Sequence, residues 1–202
     1  MRKAIVHLKN NDPVIGRLID QGGPYRIQYQ EATFANLVRS IVFQQVSGRA
    51  ASAIYRRLEE ALGPGGVSPA GILKLSPRRL RALGLSRQKA AYIRDLAAHT
   101  QSGQLNFNAL GSLDDSAVME RLTAVKGIGP WTAQMFLIFS LRRPDVLPTA
   151  DLGIRAAIRK AYGLEELPSA RQIEELARAW RPYCTVACWY LWKSIDGDAA
   201  LW

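Results

Sequence analysis

The chain has 202 residues, 48% of them hydrophobic and 22% charged, which excludes a disordered protein and allows one hydrophobic core or two small lobes. Its formal net charge of +10 favours a polyanionic partner, although a basic surface that only aids solubility would give the same charge. The apolar runs are too short for a membrane span, and residues 1–7 lack the apolar core of a signal peptide.

Apolar residues recur with helical spacing along the chain, and no alternating pattern is long enough to support a sheet. We therefore predict an all-α protein of about ten helices. Asp12, followed by Pro13, and Ser47 are predicted N-caps. Residues 1–11 contain only a short apolar segment, residues 63–66 indicate a loop, and residues 106–112 are expected to be irregular. The predicted helices are 13–20, 31–45, 50–62, 77–83, 86–98, 114–125, 131–141, 152–161, 169–180 and 183–192.

The most informative stretch is VKGIGPWTA, residues 125–133. Gly127 and Gly129 allow backbone conformations with positive φ, and Pro130 suits the first turn of a new helix. The stretch therefore predicts a helix, a tight glycine hairpin and a second helix whose N-terminal amides can bind phosphate. An ordinary turn between two helices is the alternative, because two glycines alone are a weak signal.

A carboxylate, Asp151, follows Trp131 by 20 positions and opens another predicted helix, in the motif LPTADLGIR (residues 147–155). Together with VKGIGPWTA, this motif resembles the helix-hairpin-helix Gly/Pro…Asp (HhH-GPD) superfamily of DNA glycosylases, and within it the 3-methyladenine DNA glycosylase II branch. The resemblance extends from about Asp12 to about Ile195. It includes FQQVS (residues 43–47), GLSRQKA (residues 84–90) and the tryptophan-rich tail.

The resemblance implies a single HhH-GPD domain over residues 1–202 with two helical lobes. The middle lobe would span about 35–145, and the second lobe would combine 1–34 with 146–202. The hairpin, Trp131 and Asp151 would lie in a cleft between the lobes. A carboxylate at position 151 would stabilise the positive charge that develops on the sugar and would position water. Without the motif, Asp151 would be a plain helix cap.

At Trp131, strand-cleaving members of the superfamily carry a lysine, so the resemblance implies a monofunctional enzyme that leaves an abasic site. Lys126 precedes the glycines and does not replace that lysine. No cofactor is expected to be required, and the resemblance allows a structural monovalent cation at the hairpin. Two cysteines, Cys184 and Cys188, cannot supply a four-thiolate iron–sulfur cluster, and we predict that both belong to the core.

Binding roles follow from the same resemblance. Four residues would form the base pocket: Trp131, Trp192, Phe43 and Met135, the last at a position where relatives carry tyrosine. Gln45, with Gln44 beside it, would fill the space left by an extruded nucleotide, unless it is a plain corner residue. The hairpin residues Gly127, Ile128, Gly129 and Thr132 would bind the DNA backbone. Trp180 and Trp189 are predicted core residues, and the candidates for phosphate contacts are Arg87, Lys89, Arg142, Arg143, Arg155 and Arg159.

These inferences indicate a monomeric enzyme that removes alkylated purines, such as 3-methyladenine and 7-methylguanine, from damaged double-stranded DNA. A glycosylase for uracil, hypoxanthine or an oxidised base is one alternative, and a catalytically silent binder of DNA structures is another. The only histidines, His7 and His99, lie far from the hairpin in sequence, so the sequence offers few candidates for a general acid. We expect no membrane partner and a location at the bacterial nucleoid in the cytoplasm or in a eukaryotic nucleus.

Overall fold

The computed structural model describes residues 1–196, and every regular element in this part of the chain is helical. The all-α prediction is confirmed for this range. No helix among the described residues is long and apolar enough to cross a membrane. The contacts divide the chain into two compact units. One is Gln30–Phe136, and the other combines Met1–Tyr29 with the residues from Leu137 onward. We call them the middle unit and the terminal unit.

The middle unit is built around one long helix, α7 (Arg87–Gln101), which packs against α3, α5 and α6. Its inward face carries Ala90, Ile93, Leu96 and Ala97, a spacing of three and four residues that gives a continuous apolar stripe. A short 3₁₀ turn, Gly63–Gly65, follows α4. The other α-helices are α3 (Phe34–Phe43), α4 (Gly48–Leu62), α5 (Pro69–Lys74), α6 (Pro77–Ala82), α8 (Phe107–Leu110), α9 (Asp115–Thr123) and the start of α10 (Pro130–Phe139).

The terminal unit is organised by its last helix, α13 (Cys184–Asp196), which packs against α1, α2 and α11. This helix contributes an almost wholly buried surface, and Trp189 on it is 1% exposed. Trp180, just before it, is fully buried, so the prediction that both tryptophans are core residues is confirmed. The remaining helices of this unit are α1 (Arg2–Asn11), α2 (Pro13–Gly22), α11 (Leu152–Tyr162) and α12 (Ala170–Ala177).

The unit boundaries fall at 29/30 and 136/137, whereas the sequence suggested 34/35 and 145/146. Hydrogen bonds account for the second difference. The amide of Arg143 donates to the Leu137 carbonyl at 2.9 Å, and the Thr185 hydroxyl donates to the Arg143 carbonyl at 2.7 Å. The Thr185 amide donates to the Pro144 carbonyl at 3.0 Å. Arg143 and Pro144 are therefore bonded to α13, and residues 137–144 belong with the terminal unit.

Three helices were missed: α1, α5 and α8. Helix α8 has four residues, too few to show a period. Helix α5 has six residues and begins with the same Ser–Pro cap as the predicted α6. Helix α1 buries only Ala4 and Leu8, so its apolar stripe is too narrow to recognise. Asp12 is confirmed as the cap of α2, since its Oδ1 accepts the amides of Val14 and Ile15. Ser47 precedes α4 but makes no capping hydrogen bond.

Candidate functional site

The glycine hairpin joins α9 to α10, and its conformation depends on Gly127. Gly127 has φ +84°, a left-handed conformation that residues with a side chain resist. A Cβ at this position would lie 2.2 Å from Cδ2 of the Tyr92 ring. Inside the turn, the Ile128 amide donates to the Val125 carbonyl at 3.1 Å, and Ile128 is 3% exposed. The hairpin backbone therefore lies directly on an aromatic ring, a position that only glycine allows.

Gly129 has a different role, because it does not adopt the positive φ that a glycine allows. A Cβ built on it would meet nothing within 4 Å. Its carbonyl accepts the Ala133 amide at 3.1 Å in the first turn of α10. Gly129 and Pro130 are exposed, so the amino end of α10 is open to a ligand. Neither backbone strain nor internal crowding requires glycine at this position.

Helix α7 holds the hairpin through residues spaced three apart on one face. Tyr92 supports Gly127, as described, and Asp95 accepts the Lys126 amide on Oδ2 at 2.9 Å. The Lys126 ammonium lies 3.9 Å from Oδ1 of the same carboxylate and is mostly exposed. One turn earlier, Lys89 contacts the end of α3. We call Lys89, Tyr92 and Asp95 the α7 stripe.

The turn between α3 and α4 carries the predicted DNA-filling residues. Gln44 is half-buried, and its Nε2 donates to the Gly127 carbonyl at 3.1 Å and to the Thr132 hydroxyl at 3.4 Å. Gln45 is exposed and has φ +53°, which costs about 1–2 kcal/mol for a residue with a side chain. Gln44 therefore fastens this turn to the hairpin, and Gln45 projects from a strained backbone. Such strain is concentrated at functional sites.

A groove of about 770 Å³ in the middle unit has both the plug turn, residues 44–46, and the hairpin on its walls. Its lining includes Gln45, Lys89 and Lys126. Gly84 and Ser86, from the turn between α6 and α7, complete it. Three chain segments that the sequence analysis singled out thus border one basic groove.

Asp151 lies in the terminal unit at the N-terminus of α11 and is 8% exposed. Its Oδ1 accepts the Ile154 amide at 2.7 Å and the Trp192 indole N–H at 2.9 Å. Gly153 permits this geometry, because a Cβ there would lie 3.1 Å from Oδ1 and 3.2 Å from Cδ1 of Trp192. The carboxylate is thus a helix cap whose orientation is fixed by an indole from α13.

Trp192 has a contact that sequence reasoning did not foresee. Its ring is 5% exposed and stacks on Phe139 with centroids 6.1 Å apart. Among the other predicted pocket residues, Trp131 and Phe43 are half-buried and Met135 is 9% exposed. The guanidinium carbon of Arg39 lies 4.2 Å from the centroid of the Phe43 ring, so the guanidinium group covers one face of that ring. Trp131 and Phe43 are therefore more exposed than Met135 and Trp192.

Two of the predicted phosphate contacts also make hydrogen bonds within the protein. Lys89 donates to the Val42 and Gln44 carbonyls, and Arg155 Nε donates to the Pro168 carbonyl at 3.0 Å. Arg87, Arg142 and Arg159 are exposed, while Arg143 is half-buried. The structure thus leaves the exposed arginines as the better candidates for phosphate binding.

The two histidines and the two cysteines make contacts inside the protein. His7 Nε2 lies 3.1 Å from the Ala179 carbonyl, and His99 Nδ1 lies 2.9 Å from the Asp95 carbonyl. Burial raises the pKa of the Cys184 and Cys188 thiols, so both are inert core residues as predicted. Within residues 1–196 no group of three or more histidine, cysteine, aspartate or glutamate side chains could hold a metal ion.

Known proteins share both the motifs and the fold. Residues 38–182 match the model of the HhH-GPD superfamily base excision DNA repair proteins. The chain belongs to this family. It is 34% identical over 199 residues to DNA-3-methyladenine glycosylase 1 of Schizosaccharomyces pombe, covering 96% of this chain and 87% of the relative. It is 32% identical to a putative DNA-3-methyladenine glycosylase of Bacillus subtilis, covering 87% of this chain and 62% of that protein.

Solved HhH-GPD structures agree. A DNA-3-methyladenine glycosidase of Bacillus halodurans superposes with a TM-score of 0.87 at 38% identity, covering 96% of this chain and 89% of that one. A 3-methyladenine DNA glycosylase of S. pombe, solved in complex with abasic DNA, superposes with a TM-score of 0.83 at 33% identity. The match covers 99% of this chain and 98% of that one. The fold expected from the motifs, the HhH-GPD fold, is therefore confirmed.

The two glycines of the HhH-GPD hairpin provide a matched pair of variants. Gly127→Ala forces Cβ into the Tyr92 ring at positive φ and should lower the free energy of unfolding by about 2–4 kcal/mol. Gly129→Ala adds a methyl group in open space and should change it by less than about 1 kcal/mol. Urea unfolding followed by circular dichroism measures both. Equal destabilisation would mean that the ring contact does not determine the hairpin.

Proposed function

We propose that this protein is a monofunctional DNA glycosylase of base excision repair. It hydrolyses the N-glycosidic bond of alkylated purines of the 3-methyladenine and 7-methylguanine type in double-stranded DNA. The observation that carries the proposal is the Asp151 carboxylate, buried at the start of α11 and oriented by the Trp192 indole. The 34% identity with a DNA-3-methyladenine glycosylase over nearly the whole chain supports it.

The chemistry assigned to Asp151 is electrostatic. As the bond between base and sugar breaks, positive charge develops on the sugar ring, and a carboxylate nearby stabilises it. The same oxygen atoms can position the attacking water and accept its proton. The two donors at Oδ1 fix the orientation of the carboxylate before substrate arrives, so little reorganisation is needed during the reaction.

Leaving-group chemistry explains why alkylated purines are the proposed substrates. A purine alkylated at a ring nitrogen is cationic and departs as a neutral molecule, so it needs no general acid. His7 and His99 have partners in their own surroundings, Ala179 and Asp95, which supports a site that works without a histidine acid. Trp131 would attract the cationic base through its π face by about 2 kcal/mol once water is excluded.

Lesion choice tests the proposal. Duplexes with one 7-methylguanine, hypoxanthine, uracil or oxidised guanine are incubated with excess enzyme, and released bases are identified by mass. We expect the cationic base to be released far faster than the neutral ones. Trp131→Leu keeps an apolar wall without the indole quadrupole and should slow release of the cationic base about tenfold or more. Preference for a neutral lesion would replace the alkylation assignment with another glycosylase, and no release would favour the DNA-structure binder.

Trp131 also bears on strand cleavage, because an indole cannot form a Schiff base with the sugar. Borohydride added during turnover should therefore trap no covalent protein–DNA adduct, and product strands should break only after alkali or heat. A strand-cleaving glycosylase acting on oxidised guanine serves as the positive control. An efficient adduct would point to another amine, and the exposed Lys126 would be the first candidate to replace.

Trp192 is proposed to orient the catalytic carboxylate. Trp192→Phe deletes the indole N–H but keeps an aromatic ring against Phe139, and should slow base release about 10- to 100-fold. Trp180→Phe is the matched control, because Trp180 donates to another buried helix cap, Asp12, at 2.8 Å. It should lower stability and leave the rate per folded molecule unchanged. Equal rate losses in both variants would reduce Trp192 to a packing residue.

Double-stranded DNA with damaged bases is the proposed partner, and the net charge of +10 supports attraction to phosphates. We propose that the protein acts as a monomer, at the nucleoid of a bacterial cell or in a eukaryotic nucleus. A structural monovalent cation at the hairpin also stays a proposal. The carbonyls of Val125, Gly127 and Gly129 already accept hydrogen bonds, and each keeps a second lone pair for a cation. No catalytic step depends on it.

A further inference from the structure

Lys89 occupies a place that local helix rules disfavour. It lies in the first turn of α7, where the helix dipole repels a cation, and burial lowers the pKa of its ammonium. Its Nζ donates to the Val42 carbonyl at 2.7 Å and to the Gln44 carbonyl at 2.5 Å. Both acceptors lie at the C-terminal end of α3, where helix carbonyls lack partners and a cation is favourable. The ammonium therefore serves α3 and not its own helix.

The two carbonyls that Lys89 binds both precede the strained residue of the plug turn. Gln45 follows Gln44 directly and has φ +53°. Behind it, the Val46 amide closes the turn on the Phe43 carbonyl at 3.4 Å. A left-handed glutamine persists only where its surroundings hold the adjoining peptide groups. Lys89 holds the peptide group on its amino side, and the Gln44 side chain fastens the same residue to the hairpin.

We propose that Lys89 is a positioning residue for Gln45, which it holds in the conformation that fills the gap left by an extruded nucleotide. This inference rests on the proposed function, in which Gln45 is the plug. A turn that is ordered beforehand loses less conformational entropy when it inserts into DNA, so binding to a gapped duplex is tighter. Without Lys89 the turn can relax from the strained conformation before DNA arrives.

The chain contains a matched control for this chemistry. Arg94, also on α7, binds the end of α5 in the same manner, with Nη1 donating to the Leu73 carbonyl at 3.2 Å and the Leu75 carbonyl at 2.5 Å. Arg94 has no contact with the plug turn among the hydrogen bonds of the described residues. Arg94→Met therefore removes a cation from a helix end in the same unit without touching Gln45.

The experiment compares binding to a duplex with an abasic-site analogue and to the undamaged duplex at one salt concentration. Lys89→Met has a side chain of nearly the same length but no donor. It should lower the preference for the abasic duplex about threefold to tenfold. Arg94→Met should leave the preference unchanged. Lys89→Arg, which keeps a donor, should recover part of it. Combining Lys89→Met with Gln45→Ala should lower the preference no further than Gln45→Ala alone, because both changes act through one side chain.

A phosphate contact would give a different result, since Lys89→Met would then weaken binding to both duplexes equally. That result, or additive losses in the double variant, would overturn the proposal. Amide hydrogen exchange of the free proteins provides a readout without DNA. The peptide covering residues 43–47 should exchange faster in Lys89→Met than in wild type or Arg94→Met, and unchanged exchange would also overturn the proposal.

Two further results separate this inference from the proposed function. Failure of wild type to release any alkylated base would reject the glycosylase, while the exchange measurement would still decide whether Lys89 orders the turn. A wild type that releases bases but does not prefer the abasic duplex would reject Gln45 as the plug and with it the role of Lys89. Lys89→Leu, which also has no donor, replaces Lys89→Met in all arms if the latter does not fold.

Discussion

The hydrogen bond from the Trp192 indole to Asp151 is the interaction on which the candidate chemistry depends. A buried carboxylate is expensive unless it is hydrogen-bonded, and Oδ1 is held by the indole and by the Ile154 amide. Gly153 leaves room for the bond, since a Cβ there would press on both partners and they would have to move by a few tenths of an ångström. It also ties the start of α11 to α13, the helix around which the terminal unit packs. The same hydrogen bond therefore stabilises the buried carboxylate, fixes its orientation and joins two helices of the core.

In the middle unit, helix α7 holds the candidate DNA-binding loops in place. The α7 stripe presents an ammonium, a ring and a carboxylate at successive turns of one face. The ammonium holds the plug turn, the ring supports Gly127, and the carboxylate holds the Lys126 amide. One rigid helix thus sets the position of both loops proposed to meet DNA. Loops that rest on a rigid element keep their geometry better than loops that rest on each other.

Features that depend on neighbouring residues could be predicted from the sequence, whereas contacts between residues far apart in the chain could not. Asp12, Gly127 and the start of α11 were predictable because a cap or a turn depends on neighbours a few residues away. The partners of Lys89 lie 47 and 45 residues away, and Trp192 lies 41 residues from Asp151, so no spacing rule could find either contact. The conformation of Gly129 could not be decided from the sequence. Either glycine of the pair could adopt positive φ, yet only Gly127 does, and only Gly127 lies against the Tyr92 ring.

The central claim, that Asp151 is the catalytic group, is tested most directly by Asp151→Asn. The amide oxygen can still accept the Ile154 amide and the Trp192 indole, so helix cap and packing are retained while the negative charge is lost. Single-turnover release of 7-methylguanine is measured beside binding to an abasic-site analogue. The account predicts a rate reduced by about 10³-fold or more, with binding changed only a few-fold. A variant that keeps most of its activity would contradict it and leave Asp151 as a helix cap.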